Sequence, residues 1–360
     1  MKLSFKDILN KKELSRDDII ILLNATQKES KLLFARSKEI RLKHVGNKVY
    51  LRGLIELSNI CKKDCLYCGI RKSNKHVCRY NLTDEEVLRT VKYAYDNNYG
   101  SLAIQSGELD NNIFVERVNN LLIKIKELTK GKLHITLSCG EQSEETYLKW
   151  NKNGGNRYLL RIESSTKELY NKIHPNNETH SFEKRIEALK ALRKTGYQTG
   201  TGVMIGLPFQ TTENLADDLL FMKEIDIDMV GMGPYLEQKD TPLYKFKDSL
   251  KPIEERYFMT LKMIAVLRIL MKNINIAATT ALEAIGVNGR EKAITAGANV
   301  IMPNITPAVY RENYMIYENK PLPSSKEILV PEKRIKKIGY KIEWGDFGDS
   351  AHFKKRSLIN

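Results

Sequence analysis

VYLRGLIELSNICKKDCLYCG, residues 49–69, decides how the chain is read. Val49 to Leu57 is apolar at most positions and reads as a buried strand, and three of the five cysteines follow it, at Cys61, Cys65 and Cys68. Three thiolates can hold three irons of a cubane cluster and leave the fourth iron without a protein ligand. A structural zinc site would need a fourth Cys or His, and His76 and Cys78 keep that reading open. Burial as plain hydrophobes suits one cysteine better than three at this spacing.

Outward from that stretch, 360 residues are enough for one large barrel or two domains, and 42% hydrophobic with 29% charged residues is a globular balance. The chain has no apolar run of membrane-spanning length, and its first residues lack the core of a signal peptide. Clustered cysteines argue against a disulfide framework and for a reducing compartment, so the expected location is cytoplasmic and anaerobic, with no membrane association. The net charge of +15 raises nucleic acid or an anionic ligand as a partner, but Lys and Arg are spread along the chain among Asp and Glu, which disfavours nucleic acid.

Residues 1–48 read as a helical extension, with Ser15-Arg16-Asp17-Asp18 as a cap, packing across one end of the remaining fold. From residue 49, short apolar strands alternate with amphipathic helices. The strands fall at 49–57, 101–106, 133–138, 157–163, 198–205, 228–233, 274–280 and 298–302. Strand and helix units repeated in this way predict an α/β fold, a (β/α)8 TIM-type barrel over 49–315, followed by a C-terminal extension over 316–360. A doubly wound sheet would place a Gly-rich phosphate loop after the first strand, where this chain has its cysteines. The basic tail, with Trp344-Gly345-Asp346-Phe347, is expected to close the base of the barrel.

Active sites of such barrels gather at the carboxyl ends of the strands. Alternation along the fourth strand turns Arg157, Leu159, Arg161 and Glu163 inward, and along the third His134, Thr136 and Ser138. Charges in a barrel lumen are costly unless they meet a charged ligand or each other, so the pattern reads as a polar ligand cavity or as an internal ion pair.

The CxxxCxxC spacing, with an aromatic residue before the last cysteine, resembles the signature of the radical S-adenosylmethionine (SAM) enzymes. That resemblance implies one 4Fe-4S cluster whose open iron is chelated by SAM, and reductive cleavage of SAM to a 5'-deoxyadenosyl radical in a dry site. Further matches narrow it. Ser58-Asn59-Ile60-Cys61 through Gly69, Gln105-Ser106-Gly107-Glu108, Arg157 to Arg161 with Glu163, Gly206-Leu207-Pro208, Asp217-Asp218-Leu219, Asp228 to Pro234, Ala278 to Ala281 and Asn299 to Asn304 resemble the HydE family, the maturases of iron-iron hydrogenase.

Carried over by residue, the resemblance makes Cys61, Cys65 and Cys68 the cluster ligands and Tyr67 an adenine contact. It gives Gln105, Ser106, Ser138, Arg161, Glu163 and Arg185 to the methionine and ribose of SAM, and Met204 to its adenine. Thr136, Arg157, Thr279 and Thr280 would line a deeper cavity for a small-molecule, anionic or organometallic substrate, and Tyr310 with Arg311 would close the mouth. Arg185 reads equally as a solvated helix residue, Met204 as core packing, and Arg157 as half of an internal ion pair. No cysteine follows Cys139, so a single cluster is expected.

The implied partners are an electron donor such as ferredoxin or flavodoxin, and sister hydrogenase maturases. Biotin synthase is similar in the barrel but needs further protein ligands for a second, sacrificial cluster. A methylornithine synthase-like lysine mutase is the alternative reading, and a zinc-containing RNA-binding protein is the alternative of another class.

Overall fold

The computed structural model describes residues 3–286, 288–318, 320 and 332–358. Its strands are β1 (Lys48–Ser58), β2 (Ser101–Ser106), β3 (His134–Ser138), β4 (Gly155–Leu159), β5 (Gln198–Thr201), β6 (Met204–Ile205), β7 (Met229–Pro234), β8 (Asn275–Ala278), β9 (Val300–Ile301) and β10 (Lys341–Glu343). Every pairing between them is parallel.

β1 pairs with β2 on one side, Ile55 opposite Ile104, and with β9 on the other, Leu51 opposite Ile301, so the sheet closes on itself. β5 and β6 both run against β7, with Gly200 opposite Met229 and Met204 opposite Gly233, and act as one interrupted stave. The barrel therefore has eight staves, in chain order. The strands lie where the sequence places them, apart from the fourth, which is regular over Gly155–Leu159 and then continues irregularly, Leu160 and Glu163 donating to the carbonyls of Gly200 and Gly202.

Helices alternate with the strands because the sequence supplies caps and apolar faces. Thr83, Ser143, Ser181 and Thr211 each accept a backbone N–H in the first turn of the helices Asp84–Asp96, Glu144–Lys152, Phe182–Lys194 and Thr212–Glu224. Between sheet and helices lies one core, in which Trp150, Tyr147, Tyr158 and Tyr197 pack with ring centroids as close as 5.0 Å.

The N-terminal extension forms the expected helices, with a capping box at Ser15. It does not lie across one end. The helix Gln27–His44 packs along the helix Ile253–Leu270, and its Arg41 donates to the carbonyls of Ala298 and Lys48, beside the β9–β1 seam.

The tail does close the base. β10 adds to the start of β1, with Val49 opposite Ile342. Phe347 then stacks on His134 at 3.8 Å, and Asp349 accepts from Arg157 (2.6 Å), Gln198 (2.6 Å) and His134 (3.2 Å). Further on, Arg356 donates to the fully buried Asp228 at 2.7 Å.

Burial pushes the Asp349 carboxyl up, but the His134 hydrogen bond, the Arg157 charge and Gln198 outweigh it and hold the group well below the ordinary carboxylate range. A depressed folded-state pKa contributes stability above the unfolded value of about 3.9 and loses it as acid protonates the group. Asp349→Asn is therefore expected to cost about 1–3 kcal/mol at neutral pH, the scale of a hydrogen bond to a charged group. Urea unfolding of both proteins should show that difference shrinking as pH falls below about 4.

Candidate active site

The cysteine loop leaves the carboxyl end of β1 and is tied on every side. Lys62 N–H donates to the Glu108 carbonyl (2.8 Å), Leu66 N–H to Ile173 (3.1 Å) and Gly69 N–H to Ile316 (3.1 Å). Arg79 donates to four backbone carbonyls, those of Asn59, Ile70, Arg71 and Asn74. Gly107 is required at the end of β2, because a Cβ there would stand 2.2 Å from the Ile60 carbonyl oxygen and 2.9 Å from the Cys61 Cβ.

Two histidines hold the loop from the segment after β4. His174 Nδ1 lies 2.9 Å from the Tyr170 carbonyl, which can only accept, so Nε2 is left to accept the Tyr67 hydroxyl at 3.2 Å. His180 Nε2 accepts Asp64 N–H at 2.8 Å. Burial pushes their pKa values down to about 3 and about 4, so both rings are neutral acceptors.

All three thiols are free. Burial pushes Cys65 up to about 12, and Cys61 and Cys68 upward as well, with the neighbouring thiols adding to the shift at Cys65 and Cys68. Buried thiols of this kind ionise when a cation shares their charge, which fits an iron–sulfur cluster held by three thiolates. Cys61 also accepts Glu108 N–H at 3.3 Å, the kind of hydrogen bond that cluster-ligating sulfurs receive. His76 and Cys78, the candidate fourth ligands of a closed zinc site, are exposed, whereas the three thiols of the loop are half-buried.

Beside the thiols lies a balanced node of buried charge. Lys63 contacts Glu141 (2.9 Å) and Glu108 (3.2 Å), and Arg185 contacts Glu141 (2.5 Å), Glu108 (3.6 Å) and the Arg161 carbonyl (2.9 Å). Burial pushes Glu108 up against the pull of Arg185, whereas at Glu141 burial is outweighed by the Arg185 and Lys63 charges. Arg185 is thus no solvated helix residue. Lys63 and Glu141 were not singled out in the sequence, and Glu108 only as a strand-end residue, because nothing in the local pattern pairs them.

Arg161 and Glu163 form a two-point ion pair at 2.7 and 2.8 Å. Glu163 adopts φ +64, an uncommon conformation for a non-glycine residue and one that recurs at functional sites. Tyr67 and Met204 pack against one apolar patch formed by Leu169, Ile173, Leu207, Tyr235 and Leu243.

Deeper in, a cavity of about 30 Å³ is lined by Arg52, Gln105, Thr136, Ser138 and Asn275 among others. Ser106, the last residue of β2, is not among the lining residues and donates to the Gly107 carbonyl (2.7 Å). Thr279 and Thr280 come directly after β8, with Thr280 3.2 Å from the Tyr317 hydroxyl, while Gln105 donates to the Tyr314 hydroxyl at 3.1 Å. Tyr314 and Tyr317 come from beyond β9 and were not foreseen.

Thr279 and Thr280, expected in the cavity wall with Thr136, are not among its lining residues, and two further residues depart from expectation. Arg157 lies outside the cavity lining, beneath it, where Asp349 takes its charge. Tyr310 turns away from the lumen to donate to Glu86 (2.8 Å) and stack on Tyr80 (5.0 Å).

A thiol trio at the carboxyl mouth of a closed parallel barrel, beside paired acids and guanidiniums, defines a radical SAM enzyme, and residues 55–222 match the radical SAM superfamily. The chain is 42% identical to the FeFe hydrogenase maturase subunit HydE of Thermotoga maritima, over 87% of this chain and 86% of that protein. It is 28% identical to 3-methylornithine synthase of Methanosarcina acetivorans, over 91% and 90% of the two chains. The crystal structure of methylornithine synthase superposes with a TM-score of 0.79 at 27% identity, covering 95% of this chain and 97% of that one. The chain belongs to the HydE family of radical SAM enzymes, which use a 4Fe-4S cluster and SAM.

Replacing Gly107 with Ala should push the Ile60–Cys61 backbone away from its position. The expected result is loss of most of the iron bound on anaerobic reconstitution, with an unchanged circular dichroism spectrum. Full iron content in that variant would show that the close approach is dispensable.

Proposed function

We propose that this enzyme acts in maturation of the active-site cluster of an iron-iron hydrogenase, on a small anionic or organometallic substrate held in the barrel lumen. The observation that carries the substrate class is the charge of the lumen. Arg52 and Thr136 line it with Nε and Oγ1 lacking hydrogen-bond partners, while Glu56 is taken by Asn304 and Lys320, and Glu163 is in this reading committed to the ammonium of SAM. A substrate with an anionic end meets an open donor there, whereas the side-chain ammonium of lysine meets no free carboxylate among these groups.

In this reading Cys61, Cys65 and Cys68 ligate the cluster. Tyr67, its hydroxyl held by neutral His174, and Met204 hold the adenine of SAM over the apolar patch. Glu163 takes the methionine ammonium, and Arg161 with Arg185 favours its carboxylate. Gln105, Ser106 and Ser138 place the ribose side, and Thr136, Thr279 and Thr280 border the substrate. When bound, cluster and SAM together supply the 5'-deoxyadenosyl radical. The protein's share is to keep that site dry and the target close. The electron comes from a donor such as ferredoxin or flavodoxin, sister maturases stand before and after this step, and the setting is the reducing cytoplasm. Among the described residues no helix is long and apolar enough to cross a membrane.

The test is anaerobic reconstitution with iron and sulfide, then dithionite and SAM, with 5'-deoxyadenosine followed by chromatography and hydrogenase activation assayed with the sister maturases. Cleavage independent of lysine, and hydrogenase activation that depends on this protein, are the expected results. Lysine-dependent formation of methylornithine would move the assignment to the mutase, the second reading, which the TM-score of 0.79 keeps in view. Cys65→Ala should lose both the cluster and SAM cleavage; cleavage retained by that variant would sink the mechanism.

A further inference from the structure

The lowest inward-facing layer of the barrel is polar, with Arg52 on β1, His134 on β3, Arg157 on β4, Gln198 on β5 and Asn275 on β8. Three consecutive tail residues bind all five. The Phe347 ring covers His134 and its carbonyl accepts from Arg157. The Gly348 carbonyl accepts from Asn275 Nδ2 at 2.8 Å and Arg52 Nη2 at 3.3 Å, and Asp349 gathers Arg157, Gln198 and His134.

Arg52 differs from the other guanidiniums of the site. It is 4% exposed, and its hydrogen-bond partners are neutral, the Gly348 carbonyl and the Met229 sulfur at 3.2 Å. Its Nε has no partner and it lines the cavity together with Thr136, 3% exposed, whose Oγ1 is likewise unpartnered. A buried cation held by neutral groups keeps its charge available to a ligand. What aims it is a carbonyl of the tail.

That carbonyl is itself fixed. Gly348 has φ +64, a Cβ there would stand 2.9 Å from the Tyr50 Cβ, and its N–H donates to Asp346 at 2.8 Å. On either side the tail is anchored by Gly345 N–H on Asn98 (2.7 Å) and by His352 on Asp226 (2.6 Å).

We propose that Phe347–Asp349 is the floor of the substrate cavity, and that Gly348 is a positioning residue whose carbonyl aims Arg52 at the anionic end of the substrate. This rests on the proposed function, an anionic substrate in the lumen, and makes the C-terminal tail part of the site although it enters from the opposite end of the barrel.

Bromide, a monatomic anion small enough for the lumen, is the probe. Reconstituted, SAM-bound wild-type, Gly348→Ala and Asp349→Asn proteins are titrated by calorimetry, and wild-type crystals soaked in bromide are measured at the bromine absorption edge. Bromide is expected beside Arg52 and Thr136. Gly348→Ala should weaken it by about tenfold or more, the scale of a hydrogen bond to a charged group. Asp349→Asn, which keeps an acceptor oxygen and the Gly348 carbonyl, should bind within about threefold of wild type or more tightly. SAM affinity should be unchanged in both, because neither residue contacts the groups assigned to SAM.

No bromide in the wild-type lumen, equal affinity in Gly348→Ala, or parallel loss of bromide and SAM would each overturn the assignment. Asp346→Ala, which frees the Gly348 N–H without touching the lumen, should shift bromide affinity in the same sense and serves if Gly348→Ala does not fold. Wild-type protein that binds bromide as expected but never activates hydrogenase would overturn the maturation reading and leave the floor assignment standing.

Discussion

The pairing of β1 with both β2 and β9 is the constraint on which the rest depends. A closed parallel sheet has no edges, and its strands end in two rings, one at each mouth. Cys61, Gln105, Ser138, Glu163 and Thr279 are far apart in the chain, and they meet because each ends a stave of the same barrel or lies just past its end. Closure also explains the placement of the N-terminal helix, whose Arg41 binds carbonyls leading into both strands of the closing pair.

Inside that frame the dominant problem is electrostatic. The lumen and its two ends carry Arg52, Arg157, Arg161, Arg185 and Lys63, with Glu56, Glu108, Glu141, Glu163 and Asp349 among them. Taking such groups out of water is expensive, and replacing them with apolar residues often stabilises a protein. Their retention here is best understood through geometry. Each pair holds a side chain in one orientation, as Arg161 holds Glu163 through two oxygens. The same logic reaches the base of the barrel, where the tail balances Arg157 with a carboxylate but gives Arg52 only a carbonyl and a thioether for partners.

Much of this was legible in the residues. The apolar run before the cysteines, the repeated strand and helix spacing and the inward alternation of Thr136 and Ser138 all come from local periodicity, and the barrel from their number and order. What was misread involves contacts between distant segments. Arg157 has the right phase to face a lumen, but phase cannot say that Asp349 waits below it. At Arg185 the local pattern left both a solvated helix position and a place in the site open, and two acids from the loops after β2 and β3 draw it inward. Strand four is regular only to Leu159, although Leu160 and Glu163 still donate to the carbonyls of Gly200 and Gly202, an irregularity that propensity does not register.

The sequence by itself determined the class of chemistry and the kind of scaffold, because ligand spacing and hydrophobic period are properties of short stretches of chain. Which charges face one another, which histidine nitrogen holds the Tyr67 hydroxyl, and where the last twenty or so residues dock were decided only by the tertiary structure. Those outcomes depend on burial and on the balance of desolvation against pairing, and both arise when segments up to roughly 300 residues apart in the chain are brought within a few ångströms.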